Sequence, residues 1–325
     1  MPRQWVRILG AAELAALFVF SFYNLKYSRK YKDGYVMSEV QSIQWFPGHM
    51  AKTRRKITED LKLVDIVIEL LDARVPKSSS NPVLRDIIRN KPRVVVLNKA
   101  DLADQSQTVR WVAKCKDEGL RAIPVESKTG KGLPALFSSV REELKEQIAK
   151  WTQKGMIGRP IRIMVLGVPN VGKSSIINRM LLGGGAGKAE VRDKPGVTRQ
   201  NRWFTVGKGF EILDTPGVLW PKFEDPVVGE HLAFTGAVRD EILDIEGLTG
   251  RLLELLMELY PQAVSARYKF DLPKATQPGH VLLEMIGKKR GMLVSGGEID
   301  TERAAITVLD EYRGGKMGPM TLEWP

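Results

Sequence analysis

The sequence predicts an α/β fold with a mostly parallel sheet and flanking helices, followed by a small all-α C-terminal domain. Short apolar runs at residues 66–71, 93–97 and 121–125 alternate with helix-length segments, which is typical of parallel strands joined by crossover helices. The pattern changes near residue 225. Beyond it, apolar residues at helical spacing occupy residues 248–259 and 302–312 and indicate helices.

The elements between these segments follow in chain order. A charged helix is expected at residues 51–63, and one long amphipathic helix with its linker at residues 133–154. Residues 161–166 have the composition of a buried strand. Residues 204–206 and 210–213 are expected to pair as a hairpin, because glycines flank the turn between them.

The composition is that of a globular protein with room for two domains. The 325 residues are 43% hydrophobic and 27% charged, which excludes wholesale disorder and a polytopic membrane protein. Fifty Lys and Arg against 38 Asp and Glu give a net charge of +12, which fits a polyanionic partner such as RNA or simple solubility. Cys115 is the single cysteine, so an intramolecular disulfide is excluded and a reducing compartment fits.

The first 36 residues differ from the rest and are expected to lie outside the fold. Residues 8–25 form an apolar run interrupted by Glu13 and flanked by basic residues, which is the pattern of a marginal membrane anchor. The run is short for a span, and a buried Glu would be costly there. We favour a native start at Met37 and expect no membrane attachment, with a genuine anchor as the alternative.

Residues 167–174, GVPNVGKS, lie between the strand at 161–166 and an apolar helical pattern. This is the phosphate-binding P-loop pattern in its required strand–loop–helix context. Glycines let backbone N–H groups close around phosphates, and the helix N-terminus adds a favourable field. Lys173 is expected to reach the β- and γ-phosphates, and the Ser174 hydroxyl to bind Mg²⁺. The alternative is an ordinary glycine-containing turn.

The tetrapeptide NKAD at residues 98–101 follows the strand at 93–97 and indicates guanine. The Asp101 carboxylate can accept the N1–H and the exocyclic amine of guanine, and the Asn98 amide can serve the O6 and N7 edge. Adenine would leave Asp101 facing an acceptor. Asn and Asp are also common turn residues, but beside a P-loop they predict GTP and GDP as ligands. Glu126, Ser127 and Lys128 are candidates for a second base-side loop.

The DTPG sequence at residues 214–217 is expected to sense the γ-phosphate. Asp214 can hold a water of Mg²⁺, and the Gly217 N–H can face the γ-phosphate. Thr198 is the candidate for a second hydroxyl ligand of Mg²⁺, with a structural role in a Gly/Pro turn as the alternative.

Val218 stands where many GTPases carry the Gln that orients the attacking water. A slow intrinsic rate is therefore expected, with a water-positioning group from elsewhere. His49, a polar residue in the apolar and turn-like WFPGHM segment, is the catalytic candidate. Packing against its aromatic neighbours is the alternative.

The order of these motifs is permuted, since the base-side sequences precede the phosphate-side ones. The same sheet forms if the chain is cut at one surface connection and its old ends are joined. We expect a circularly permuted P-loop GTPase domain at residues 37–224 and a helical C-terminal domain at residues 225–325. The γ-phosphate sensor then leads directly into the helical domain, which favours a nucleotide-dependent switch.

This order, with WFPGHMAK at residues 45–52, DAR at 72–74 and GVPNVGKSS at 167–175, resembles the circularly permuted ribosome-biogenesis GTPases of the YlqF/RbgA type. The resemblance runs from about Ile43 to the end of the chain. It implies GTP hydrolysis in assembly of the large ribosomal subunit, binding of ribosomal RNA or the ribosome by the helical domain at residues 225–325, and a catalytic role for His49. It also points to K⁺ at Asn170, with a local P-loop hydrogen bond as the alternative. Glu126, where Ser is usual, and the glycine run at 183–187 depart from the family pattern.

The predicted site combines these motifs with Mg²⁺, and with K⁺ as a second cation. The residues predicted to contact nucleotide are Asn98, Lys99, Asp101, Glu126, Ser127, Lys128, Pro169, Asn170, Val171, Gly172, Lys173, Ser174, Ser175, Thr198, Asp214 and Gly217. We expect a cytoplasmic monomer whose hydrolysis the large subunit stimulates, with the basic residues 288–290 contributing RNA affinity or forming a solvated helix end. A GTP-dependent binding module with negligible catalysis and a membrane-tethered signalling GTPase stay as alternatives.

Overall fold

The computed structural model describes residues 47–183, 191–192, 203–207, 209–213, 225–273 and 276–325, and the side chains of all of these except residues 47–53, 183, 191 and 192. The described residues belong to one compact unit, Ile43–Pro325.

The described strands form one seven-stranded sheet in the order β3-β2-β1-β4-β7-β6-β5. They are β1 (Ile66–Asp72), β2 (Arg93–Asn98), β3 (Arg121–Val125), β4 (Ile161–Gly167), β5 (Val191–Arg192), β6 (Trp203–Val206) and β7 (Phe210–Leu213). Strands β1, β2, β3, β4 and β7 are parallel, while β6 pairs antiparallel with both β7 and β5. The predictions of a mostly parallel sheet and of a hairpin at β6 and β7 are confirmed.

The register of the strands brings the predicted motifs to one edge of the sheet. Asp72 at the end of β1 pairs with Asn98 at the end of β2, and Leu70 pairs with Gly167 at the end of β4. Strands β2 and β3 extend to one side of β1, while β4 and β7 extend to the other. This reversal is a topological switch point, where open α/β sheets bind ligands at the carboxyl ends of their strands.

The helices flank the sheet and make up most of the C-terminal part. They are α1 (Pro47–Asp60), α2 (Pro76–Ser79), α3 (Pro82–Ile88), α4 (Gln105–Asp117), α5 (Leu133–Glu143), α6 (Lys145–Gln153), α7 (Lys173–Gly183), α8 (Pro226–Phe234), α9 (Ile245–Leu259), α10 (Pro261–Tyr268), α11 (Gly279–Arg290) and α12 (Thr301–Arg313). From residue 225 onward, the described residues contain helices and one isolated bridge, Leu293 with Ile299, so the expected all-α part is confirmed.

The prediction of one long helix at residues 133–154 is wrong. Helices α5 and α6 meet at Leu144, whose backbone leaves the helical region at φ −101° and ψ 11°. Leu144 is buried in the core, whereas α6 has no buried residue. The buried apolar stripe of α5 thus ends at Leu144, where the helix breaks.

Two apolar clusters hold the sheet and helices together. One joins α1 and α3 to β1, β4, β6 and β7 through Ile57, Leu61, Val64, Val67, Leu84, Ile88, Met164, Leu166, Trp203 and Leu213. The other joins α4 to the ends of β1 and β2 and to β3 through Leu71, Ala73, Val95, Leu97, Ala103, Trp111, Cys115 and Ala122. These clusters bury and pack the strands closely, so the loops at the carboxyl ends of the strands begin from well-ordered positions.

The chain end returns to the carboxyl edge of the sheet. The Met320 N–H donates to the Leu102 carbonyl at 2.9 Å, and the Leu322 N–H donates to the Arg74 carbonyl at 2.8 Å. The C-terminal segment and the sheet are therefore packed together. The predicted boundary between a GTPase domain ending at residue 224 and a helical domain starting at residue 225 stays a prediction.

None of the helices within the described ranges is long and apolar enough to span a bilayer. The candidate anchor at residues 8–25 lies outside those ranges.

Candidate nucleotide-binding site

The predicted P-loop forms a tight connection between β4 and α7. Asn170 and Gly172 adopt left-handed backbone conformations, with φ of 53° and 98°. The Lys173 ammonium folds back over the loop and donates to the carbonyl oxygens of Gly167 and Val168 at 3.1 and 3.0 Å. Positive charge and the N-terminus of α7 thus converge on one loop, an arrangement suited to phosphate.

Asn98 connects the base-side and phosphate-side motifs. This fully buried residue donates from its Nδ2 to the Val171 carbonyl of the P-loop at 2.8 Å, and its Oδ1 accepts from the Ser127 hydroxyl at 2.5 Å. A Cβ atom on Gly172 would lie 2.3 Å from Asn98 Nδ2, so only glycine fits there. Three predicted segments therefore meet at one side chain. Direct contact of Asn98 with guanine stays a prediction.

Lys99 and Asp101 follow Asn98 at the edge of the sheet. Lys99 has a left-handed backbone, and its ammonium lies 2.9 Å from the Asp72 carboxylate. Asp101 is exposed within the short 3₁₀ turn Ala100–Leu102. The turn thus leaves the Asp101 carboxylate open to a ligand.

The second base-side candidate, residues 126–128, begins a turn that is held by its own side-chain hydrogen bonds. The Glu126 carboxylate accepts from Lys131 Nζ at 3.0 Å and from the Thr129 hydroxyl at 2.9 Å. These hydrogen bonds, that of Lys131 first, lower the pKa of Glu126. Lys128 is exposed. Glu126 therefore stabilises its own loop, and Ser127 is the residue that reaches Asn98.

Arg179 is a site residue that the sequence did not single out. It lies on α7, and its guanidinium donates to the Thr129 carbonyl. Its Nε would also lie 2.8 Å from a Cβ atom on Gly130. The helix that begins at the P-loop thus holds the second base-side loop in place. No motif marks Arg179, because its role depends on a contact 50 residues away in sequence.

Asn170 contacts the C-terminal part of the chain. Its Nδ2 donates to the carbonyl of Gly236, just after α8. The expected alternative was a hydrogen bond within the P-loop, whereas this partner lies 66 residues away. This side chain therefore joins the P-loop to the C-terminal part of the chain.

The γ-phosphate side is described only in part. The backbone of His49 lies in the first turn of α1, while its side chain is outside the described set. Thr198, Asp214, Gly217 and Val218 also lie outside the described residues.

The P-loop offers a hydroxyl group that fits Mg²⁺. Ser174 is exposed in the first turn of α7 and offers a hydroxyl oxygen, the kind of ligand that Mg²⁺ prefers. Within the described ranges, no group of three or more His, Cys, Asp or Glu residues could hold a metal ion by itself. An ion at Ser174 would therefore depend on nucleotide phosphates for much of its coordination.

The sequence of this chain is similar to those of known GTPases. The family model described as "50S ribosome-binding GTPase" matches residues 162–249. Ribosome biogenesis GTPase A of Bacillus cereus is 47% identical over 283 residues, which cover 87% of this chain and 94% of that protein. The Thermotoga maritima protein of the same name is 32% identical, with 87% and 95% covered.

Solved structures give the same result for the fold. A GDP-bound YlqF superposes with a TM-score of 0.62 at 27% identity, covering 83% of this chain and 99% of that one. The GNP-bound YlqF from T. maritima gives 0.60 at 28% identity, with 84% and 98% covered. Since nearly all of each relative is covered, the likeness includes the C-terminal helices as well as the sheet.

Proposed function

Because the chain belongs to the ribosome biogenesis GTPase A family, we propose that it binds GTP at the carboxyl edge of its sheet and acts on the large ribosomal subunit. It is a GTPase of ribosome assembly. The binding-module and membrane-tethered alternatives are not favoured by this family. The observation that carries the proposed site is the 2.8 Å hydrogen bond from Asn98 to Val171, since it joins a guanine-type motif to a phosphate-type loop.

The proposed roles divide between the two ends of the nucleotide. Residues 169–173, Ser174 and Ser175 surround the phosphates, with Lys173 on the β- and γ-phosphates. Asp101 reads guanine, and Lys99 with residues 126–128 shapes the base pocket. Ser174, Thr198 and Asp214 hold Mg²⁺, which neutralises phosphate charge when bound. Gly217 senses the γ-phosphate.

Asn170 is proposed to hold K⁺ through its Oδ1 atom. The contact of its Nδ2 with Gly236 supports this orientation, because it turns the amide oxygen away from that carbonyl. A monovalent cation there would add positive charge close to the phosphates.

The large subunit and its ribosomal RNA are the proposed partners. The net charge of +12 supports an RNA partner. In the basic cluster at residues 288–290, Lys288 and Lys289 are exposed, while Arg290 pairs with Glu311 at 3.2 Å. The two lysines are therefore the proposed RNA contacts, and Arg290 a structural residue. We expect a monomer that acts in the cytoplasm.

The proposal is tested by single-turnover GTP hydrolysis with purified large subunits, small subunits or neither. We expect slow turnover alone and stimulation by large subunits only, because Val218 cannot orient water and a missing group must be ordered on the ribosome. Equal rates in all three conditions would contradict the proposed partner.

His49 is the proposed water-positioning residue, and His49→Ala tests it in the same assay. We expect unchanged GTP affinity and loss of stimulated turnover by about 10²- to 10⁴-fold, the usual contribution of one acid–base group. His280→Ala is the matched control, since His280 lies exposed on α11. A His49 variant that the large subunit still stimulates fully would assign this residue to packing.

A further inference from the structure

The carboxyl end of β1, between the two nucleotide motifs, holds a buried ion cluster. Arg74 forms a bidentate pair with Asp72, with Nε to Oδ1 at 2.9 Å and Nη2 to Oδ2 at 2.8 Å. The Lys99 ammonium reaches the same Oδ2 at 2.9 Å. The side chains of Arg74 and Asp72 are 1% and 3% exposed, and that of Lys99 is 21% exposed. One carboxylate therefore orders both an arginine and the second residue of the base-recognition tetrapeptide.

Burial and the neighbouring charges shift the pKa values of Asp72 and Lys99. Burial alone would raise the pKa of Asp72, but Arg74 and Lys99 outweigh it and hold the pKa well below its usual range. Burial lowers the pKa of Lys99, against the attraction of Asp72. The Lys99 ammonium is thus stabilised mainly by the Asp72 carboxylate, and the bidentate hydrogen bonds from Arg74 hold that carboxylate in position.

The other face of Arg74 belongs to the C-terminal part of the chain. Its Nη1 lies 3.5 and 3.4 Å from the carbonyl oxygens of Tyr312 and Arg313, where α12 ends. Its guanidinium carbon lies 5.2 Å from the centre of the Tyr312 ring. The Arg74 carbonyl accepts from the Leu322 N–H in the tail beyond α12. Arg74 therefore touches the base-side cluster and the end of α12 at once.

A second arginine–carboxylate contact on β1 provides a comparison. Arg93 lies 3.4 Å from the buried Glu69, and Arg85 from α3 lies 3.5 Å from the same carboxylate. The Ser80 hydroxyl, between α2 and α3, also donates to Glu69 at 3.0 Å. The strand β1 can thus bury a carboxylate without any contact from α12. Burial of Asp72 therefore does not by itself require α12, and the contacts of Arg74 with α12 are an additional connection.

We propose that Arg74 is a positioning residue for guanine-nucleotide binding that links α12 to the base-recognition loop through Asp72 and Lys99. Movement of α12 would then change the lifetime of the bound nucleotide from its base side. The inference rests on the proposed assignment of residues 98–101 to guanine. It differs from the expected covalent route through residues 214–217, which acts from the γ-phosphate side.

The test compares the dissociation rates of GDP and IDP from Arg74→Lys, using stopped-flow displacement of fluorescent derivatives. Lysine keeps the buried charge but loses the bidentate fork and the contacts with α12. IDP lacks the exocyclic amine that would donate to Asp101, so the ratio of the IDP and GDP dissociation rates reports the geometry of the base loop. We expect the preference for GDP to fall about tenfold, within the range usual for coupling between sites. Arg93→Lys is the matched control and should leave the preference unchanged.

The variant Tyr312→Leu tests the link to α12 independently, and serves if Arg74→Lys does not fold. It removes the ring that packs on Arg74 and should reduce the preference for GDP in the same direction. An unchanged ratio of the IDP and GDP dissociation rates in either folded variant, including the case in which both rates rise in parallel, would overturn the inference. A native protein that bound GDP and IDP equally would instead contradict the assignment of residues 98–101 to guanine.

Discussion

Asn98 and Asp101 lie three positions apart in one tetrapeptide, yet their surroundings differ. Asn98 is buried, and both heteroatoms of its amide are bonded to protein groups. Asp101 is exposed in a short turn. Substitution of Asn98 would therefore disturb the loops around it, whereas substitution of Asp101 isolates the effect on the ligand.

We predict that Asp101→Asn shifts base preference from guanine toward xanthine nucleotides. The amide replaces an acceptor by a donor, which suits the additional carbonyl of xanthine. The loss of GDP affinity should exceed tenfold, because a site built for a hydrogen-bonding group strongly rejects a mismatched partner. Titration with GDP and XDP measures the shift. Asp104→Asn is the control: Asp104 caps α4 through the N–H groups of Ser106 and Gln107, and Asn caps equally well.

We predict that Lys173→Ala abolishes productive GTP binding without unfolding the protein. Its ammonium bonds two P-loop carbonyls, so its loss removes the positive charge nearest the expected phosphates. The exposed Lys62, which precedes β1 at the opposite end of the sheet, supplies the control Lys62→Ala. Calorimetric titration with GTP measures both variants. Normal affinity and turnover in Lys173→Ala would refute the P-loop assignment.

At the level of single residues, the sequence predicts those whose chemistry is written in a local pattern. The P-loop and NKAD sequences could be located because each places specific side chains at fixed spacing after a strand. Arg179 and the partner of Asn170 could not, since each contact joins segments at least 50 residues apart. Such contacts depend on how helices pack, which local spacing does not specify.

Among the elements, strands were predicted better than helix ends. The expected strand at residues 121–125 has the observed bounds, and β1, β2 and β4 each extend one residue beyond the prediction. Buried parallel strands are continuous apolar runs, so composition alone marks them. The break at Leu144 was missed because helical spacing of apolar residues continues to residue 151, although α6 buries none of them.

The turn from β4 into α7 yields a prediction at the scale of an element. We predict that Gly172→Ala destabilises the protein and weakens GDP binding, because the new Cβ atom would displace the Asn98 amide and the residue has φ of 98°. A strained backbone of this kind costs about 1–3 kcal/mol before any steric term. Denaturant unfolding and GDP titration measure the two effects.

Gly291→Ala is the control for this substitution. Gly291 ends α11 at φ 63°, and a Cβ atom there would meet nothing within 4 Å. It should cost only about 1 kcal/mol of backbone strain and leave GDP affinity unchanged. Equal losses of GDP affinity in the two variants would show that the contact between Gly172 and Asn98 does not matter for binding.

Across the whole molecule, the C-terminal tail joins parts that the sequence suggested as separate domains. Glu323 is buried, and its carboxylate accepts from the Lys77 N–H at 2.6 Å, from Ser78, and from His231 at 2.8 Å. These partners lie on α2 and α8, on opposite sides of the expected boundary near residue 225. One carboxylate therefore fastens the chain end to both parts.

We predict that Glu323→Ala lowers the free energy of unfolding by about 2–4 kcal/mol, because it leaves buried N–H donors unsatisfied. It should also speed amide exchange at Met320 and Leu322, whose N–H groups bond the base side of the sheet. Glu298→Ala, at an exposed glutamate between α11 and α12, is the control and should change stability by less than about 0.5 kcal/mol. Urea unfolding followed by tryptophan fluorescence gives the free energies, and hydrogen exchange gives the local effect. Stability loss without faster exchange in the tail would mean that Glu323 supports α2 and α8 rather than holding the chain end in place.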